Sequence, residues 1–122
     1  MAPTKFSEMK NSAEFFEKLA SNENILIVKF TATWCGPCKK IQSFVENKLK
    51  ELPESVHYYE LDIDDNIEIY GFLKTKKMVN GIPSLLCWAK GNQNFAPDYL
   101  VVGAVESEVQ KFFDACKTKI EI

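Results

Sequence analysis

The chain has 122 residues and a mass of 13.9 kDa, the size of one domain, and folding at that size takes roughly two thirds of the unfolded surface out of water. Hydrophobic residues make up 46% and charged residues 26%, with only five Gly and five Pro, so collagen-like and low-complexity chains are excluded. Fifteen basic residues against 17 acidic ones leave a net charge of −2 with no basic stripe, so no nucleic-acid partner is expected; every basic residue is Lys, which also removes the arginine fork that grips phosphate or guanine.

Ser12 to Ser21 reads as a helix with Phe15, Phe16, Leu19 and Ala20 on one side. Ile25 to Phe30 is a short β-branched, apolar run, the pattern of a buried central strand. Pro37 to Leu52 is a long helix in which Ile41, Phe44, Val45, Leu49 and Leu52 recur at helical spacing. Pro37 suits a first helical turn, where its missing N–H costs nothing, and Pro53 marks the far end. Val56 to Asp62 is the next strand, with the strand formers Tyr58 and Tyr59. Asn66 to Leu73 is a short helix entered through the capping-competent Asp64-Asp65-Asn66. Ser84 to Ala89, entered through Gly81-Ile82-Pro83, and Tyr99 to Val102 are strands close enough to form an antiparallel hairpin. Val105 to Lys117 closes the chain as an amphipathic helix with Val109, Phe112, Phe113 and Cys116 on its inner side. Helices and strands alternate without repeat or linker, so residues 1–122 read as one α/β domain. Its architecture is a central mixed β-sheet flanked by helices on both faces.

No apolar run approaches the roughly 20 residues of a membrane span, so no membrane partner is expected. Met1-Ala2-Pro3-Thr4-Lys5 is not followed by an apolar stretch. No signal peptide is expected, and the expected compartment is the cytoplasm, where thiols are kept reduced.

The chemistry lies in Trp34-Cys35-Gly36-Pro37-Cys38, between the buried strand and the long helix. Two cysteines two residues apart can ligate a metal or cycle between dithiol and disulfide. Zinc in a structural site takes four ligands. The chain otherwise offers only Cys87 in an apolar strand, Cys116 on an inner helix face and His57, with no second ligand pair. No metal and no cofactor are therefore expected. In the redox reading, the helix N-terminus favours a thiolate at Cys35, which attacks; Cys38, one turn in, resolves the mixed disulfide. Pro37 stiffens the loop between them. Cys87, Cys116, Trp88 and Phe112 read as core, and His57 as a solvated strand start. Lys74, Lys76 and Lys77 read as a solvated loop face or, in a sharper reading, as a patch that steers acidic partners.

At these residues the sequence resembles the thioredoxin family. The anchors are Phe30-Thr31-Ala32-Thr33-Trp34-Cys35-Gly36-Pro37-Cys38-Lys39, Leu61-Asp62-Ile63-Asp64, Gly81-Ile82-Pro83-Ser84-Leu85-Leu86, Gly91 and Val102-Gly103-Ala104, in order along nearly the whole chain. The resemblance implies the thioredoxin fold and a protein-disulfide reductase in which Cys35 attacks and Cys38 releases the reduced client. It implies a cis bond between Ile82 and Pro83 opposite the cysteines. It also implies an apolar docking rim made by Trp34, Gly36, Pro37, Ile63, Ile82, Val102 and Gly103, with the Ile82 backbone free to pair with an extended client. Its implied partners are thioredoxin reductase, as electron donor, and disulfide-containing client proteins; a monomer is expected. Two other classes compete: a redox-silent binding module, opposed by the intact cysteines, and an oxidase or isomerase, opposed by the Gly-Pro centre that the family associates with reductants.

The sequence departs from the family pattern in three ways. Ser43 stands where a helix-kinking Pro is common, so a straighter helix is expected. The segments Asp64 to Pro83 and Gly91 to Gly103 are each a few residues longer than usual, and both are expected to flank the rim. Lys29 occupies the position of the family's buried Asp and Glu60 that of its Lys. An inverted charge pair beneath Cys38 is therefore expected, with Glu60 as acceptor of the Cys38 proton and Lys29 favouring the Cys38 thiolate.

Overall fold

A computed structural model describes residues 2–121. Its elements are β1 (Thr4–Phe6), α1 (Ser12–Ala20), β2 (Leu26–Thr31), α2 (Gly36–Leu49), β3 (His57–Asp62), α3 (Ile67–Thr75), β4 (Ser84–Trp88), β5 (Tyr99–Val102) and α4 (Glu106–Lys117). The strands form one sheet in the order β1-β3-β2-β4-β5. β1 and β2 run parallel to β3, whereas β4 is antiparallel to β2 and β5 antiparallel to β4. The mixed sheet and the terminal hairpin are as the sequence implies.

β1 is a correction to that reading, which begins the chain with a helix. Thr4, Lys5 and Phe6 pair with His57, Tyr58 and Tyr59, and the Thr4 N–H donates to the Val56 carbonyl at 2.9 Å. Three residues without apolar alternation carry no pattern; backbone pairing alone makes them a strand.

β2 lies at the centre of the sheet, and five of its six residues are buried, which is why its sequence is nearly continuously apolar. Alternate residues serve opposite faces. Ile27, with Tyr58, Leu85 and Cys87, packs under Ile41, Val45 and Leu49 of α2 and Val109, Phe112 and Phe113 of α4. Val28 and Phe30, with Tyr59, Leu86 and Trp88, pack on Phe15 and Leu19 of α1 and Ile69 and Leu73 of α3. Phe16 and Ala20, expected on the inner side of α1, are exposed. Phe16 lies at the rim of that core, its ring 5.2 Å from Phe15 and 5.8 Å from Phe72. His57, expected in solvent, is half-buried with its ring edge-on to Phe6 at 5.3 Å.

Helix starts follow local chemistry. Asn11 caps α1, its Oδ1 accepting the Glu14 N–H at 2.9 Å. Asn66 stands at the N-cap of α3 but makes no capping bond. Its Oδ1 instead accepts the Met9 N–H at 2.9 Å, and its Nδ2 donates to the Asp62 carbonyl at 3.0 Å. That buried side chain ties the segment before α1 to the end of β3. α2 runs unbroken through Ser43.

Candidate active site

The turn joining β2 to α2 carries both cysteines. Cys35 is the N-cap of α2, in extended conformation, and its Sγ accepts the Cys38 N–H at 3.2 Å. Cys38 lies one turn into the helix, and the two are joined as a disulfide with Cα atoms 5.3 Å apart. Cys35 is 5% exposed and Cys38 2%, so in the oxidised form both are buried and differ little. Ala32, Ile63 and Ile82 pack against them.

The Ile82–Pro83 peptide is cis. The Pro83 carbonyl accepts the Gly103 N–H at 2.8 Å, and Ser84 pairs with Val102 in the β4–β5 ladder. These bonds carry Val102 and Gly103 to the disulfide's side of the sheet end. Trp34, Gly36, Pro37 and Val102 are exposed, Ile63, Ile82 and Gly103 half-buried, and Pro83 buried. Trp34 is 63% exposed, so it is no core residue. Its Nε1 donates to Asp64 Oδ2 at 2.8 Å. Sequence reading passes over Asp64 as a binding partner: thirty positions separate it from Trp34, and only the fold joins them.

Lys29 on β2 stands directly across from Glu60 on β3. Its Nζ is 3.8 Å from Glu60 Oε1, with side-chain exposures of 2% and 39%. The Tyr58 hydroxyl donates to the same carboxylate oxygen at 2.8 Å. Lys29 alternates with Ile27, on the sheet face that α2 covers. Burial lowers the Lys29 pKa, with Glu60 and then Glu46 acting in the opposite direction. Burial, and then Glu60, pushes the Tyr58 hydroxyl well above its ordinary value, so it stays a donor. A cleft of about 470 Å³ bordered by Thr31, Thr33, Lys39 and Gln42 opens Glu60 and Asp62 to solvent.

Cys87 on β4 and Cys116 on the inner side of α4 are free and buried in the core. Burial, and next the neighbouring Cys87, pushes the Cys116 thiol far up, as suits inert packing groups. Among the described residues no three His, Cys, Asp or Glu gather as a metal site.

A buried sulfur pair that caps a helix, under a lip of apolar residues and beside an open backbone edge, is built for exchange with another disulfide. The family model described as Thioredoxin matches residues 6–115. The chain is similar to Thioredoxin-2 of Saccharomyces cerevisiae, 32% identical over 87 residues that span 71% of this chain and 79% of the relative. Against the thioredoxin of Homo sapiens it is likewise 32% identical over 87 residues, 70% of this chain and 78% of that one. Among solved structures, Trichomonas vaginalis thioredoxin superposes with a TM-score of 0.67 at 21% identity, covering 93% of this chain and 96% of that one. Fasciola hepatica thioredoxin gives a TM-score of 0.68 at 24% identity, over 90% and 98%.

Proposed function

The chain belongs to the thioredoxin family and is a thiol–disulfide oxidoreductase that reduces protein disulfides; from that premise we propose how its own residues divide the work. Cys35 is the nucleophile and Cys38 the resolving thiol. The observation that carries this assignment is the Cys38 N–H aimed at Cys35 Sγ at 3.2 Å. A helix N-terminus that points a donor at one sulfur stabilises negative charge there.

The Cys35 thiolate attacks one sulfur of a client disulfide. The client's S–S bond breaks, a bond between Cys35 and the client forms, and the displaced client sulfur leaves as a thiolate and takes up a proton. Cys38 then loses its proton and attacks Cys35 Sγ. The mixed disulfide breaks, the second client sulfur leaves and is protonated, and Cys35–Cys38 closes. Two electrons and two protons have passed to the client, and thioredoxin reductase is the proposed donor that returns them, in a reducing compartment such as the cytoplasm.

Trp34, Gly36, Pro37, Ile63, Ile82, Val102 and Gly103 are the proposed docking rim. Pro83 lacks an N–H, so the Ile82 backbone beside it is left to pair with an extended client segment. Glu60, open to solvent through its cleft, is the proposed acceptor of the Cys38 proton by way of water. The Lys29 ammonium favours the Cys38 thiolate. The chain works as a monomer of one domain.

Insulin reduction driven by dithiothreitol tests the assignment. The wild type is expected to bring down the insulin B chain rapidly, and Cys35→Ser to lose the acceleration. Equal rates would remove Cys35 as nucleophile.

A further inference from the structure

Beyond Val102 the rim runs into a groove of about 530 Å³ whose lining includes Lys74, Lys77, Met78, Asn80, Leu100 and Val102. Both longer segments build it. β5 is an edge strand along which burial alternates, so Leu100, 45% exposed, and Val102, 41% exposed, turn their side chains outward together.

The groove is positively charged in a chain whose net charge is −2. No acidic residue lines it. Among the described residues, Lys74, Lys76 and Lys77 have no carboxylate within 4.0 Å; the ion pairs lie elsewhere. Lys76 is engaged by two aromatic rings, 5.8 Å from the Phe72 centroid and 5.4 Å from that of Phe95. Phe95 belongs to the second longer segment, so Lys76 joins the two segments and leaves Lys74 and Lys77 to the groove.

Lys77 adds an independent observation. The Met78 N–H donates to the Leu73 carbonyl and the Lys77 N–H to the Lys74 carbonyl, each at 2.9 Å, the paired bonds of a Schellman helix end. Its left-handed position is Lys77, at φ 63°, where glycine is the unstrained residue. A cation is thus held there against local preference, in a wall without acids.

The groove is continuous with the disulfide: Ile82 packs on the cysteines, Gly81 lies beside Val102, and Val102 lines the groove. We infer that this groove is a specificity subsite for the client segment flanking the reduced disulfide, and that it selects segments in which a carboxylate neighbours an apolar side chain. The inference rests on the disulfide-reductase reading. The apolar residue seats on Leu100, Val102 and Met78, and the carboxylate meets Lys74 and Lys77.

The test uses two peptides with the same internal disulfide. One carries Glu-Leu-Asp on both flanks of its cysteines, the other Lys-Leu-Lys. The readout is the ratio of kcat/KM values, acidic over basic. For two partly exposed ion pairs the wild type should favour the acidic peptide by about fivefold at low ionic strength, with the ratio falling toward one in high salt. Lys74→Glu/Lys77→Glu should invert the preference, and Lys77→Gly, which keeps the helix end, should reduce it. Wild-type indifference to the flanks, or an acidic preference that survives the double reversal, would overturn the subsite and leave the reductase standing. Failure to reduce either peptide would remove the reductase reading, and the subsite with it.

Discussion

A lysine whose side chain is 2% exposed folds at a cost, and burial is the largest influence on Lys29, lowering its pKa from 10.5. Below the lowered value the folded and unfolded chains both hold the proton, and the cost of the buried ammonium is felt in full. As pH rises through that value toward 10.5, the folded chain releases the proton first. The unfolded chain then binds more protons, so stability rises with pH across this window. Lys29→Met lacks this term and leaves Glu60 with solvent and the Tyr58 hydroxyl. It should be more stable than the wild type by about 1 kcal/mol at pH 7, with the advantage shrinking as pH climbs through the window. Urea unfolding at neutral and alkaline pH checks this, and a variant less stable at pH 7 would show that the ion pair outweighs the burial. Glu60→Gln should move the pH profile of the resolving step, read by quenched flow, while the first attack keeps its profile. An unmoved profile removes Glu60 as acceptor. Both residues were legible in the sequence because the family resemblance marks their positions, and counting from Cys35 and from Asp62 reaches them without side-chain detail. Asp64 was not: its bond to Trp34 depends on how two loops meet.

Two helix ends show where local rules hold and where they give way. A Schellman turn closing on Lys77 asks for glycine, so Lys77→Gly should leave stability unchanged or raise it by about 1 kcal/mol. The same swap inside a helix costs about that much. A thermal melt that drops by several degrees would show that Lys77 makes stabilising contacts beyond its backbone. Asn66 looked like an N-cap by residue type, but its side chain bonds Met9 and Asp62 instead. Asn66→Ala should cost about 2 kcal/mol by leaving the Met9 N–H unpaired in a buried place. A cost of a few tenths would mean that the lost bonds are replaced. α1, α2 and α4 were readable from spacing because each buries a periodic stripe, and α3 from its capping-competent entry. β1 was not, because its three residues owe their conformation to β3 alone.

At the scale of the molecule, the sheet brings three separate stretches of chain to one end. β2 delivers the cysteine turn, β3 runs into Ile63 and Asp64, and the β4–β5 hairpin supplies the cis-proline lip and Gly103. The motifs announced each piece, and the alternation of helix and strand announced the layers that join them. The lysines of the groove beyond Val102 and the length of its two segments were visible in the sequence, but the groove itself was not, since α3's end and an edge strand meet only after folding. The proposed division of labour between the two sulfurs is read out by trapping. Cys38→Ser incubated with insulin, quenched by alkylation and read by mass spectrometry should accumulate one mixed disulfide per chain, on Cys35, released by dithiothreitol. Absence of that adduct, or an adduct forming as fast on Cys38 in Cys35→Ser, would contradict it.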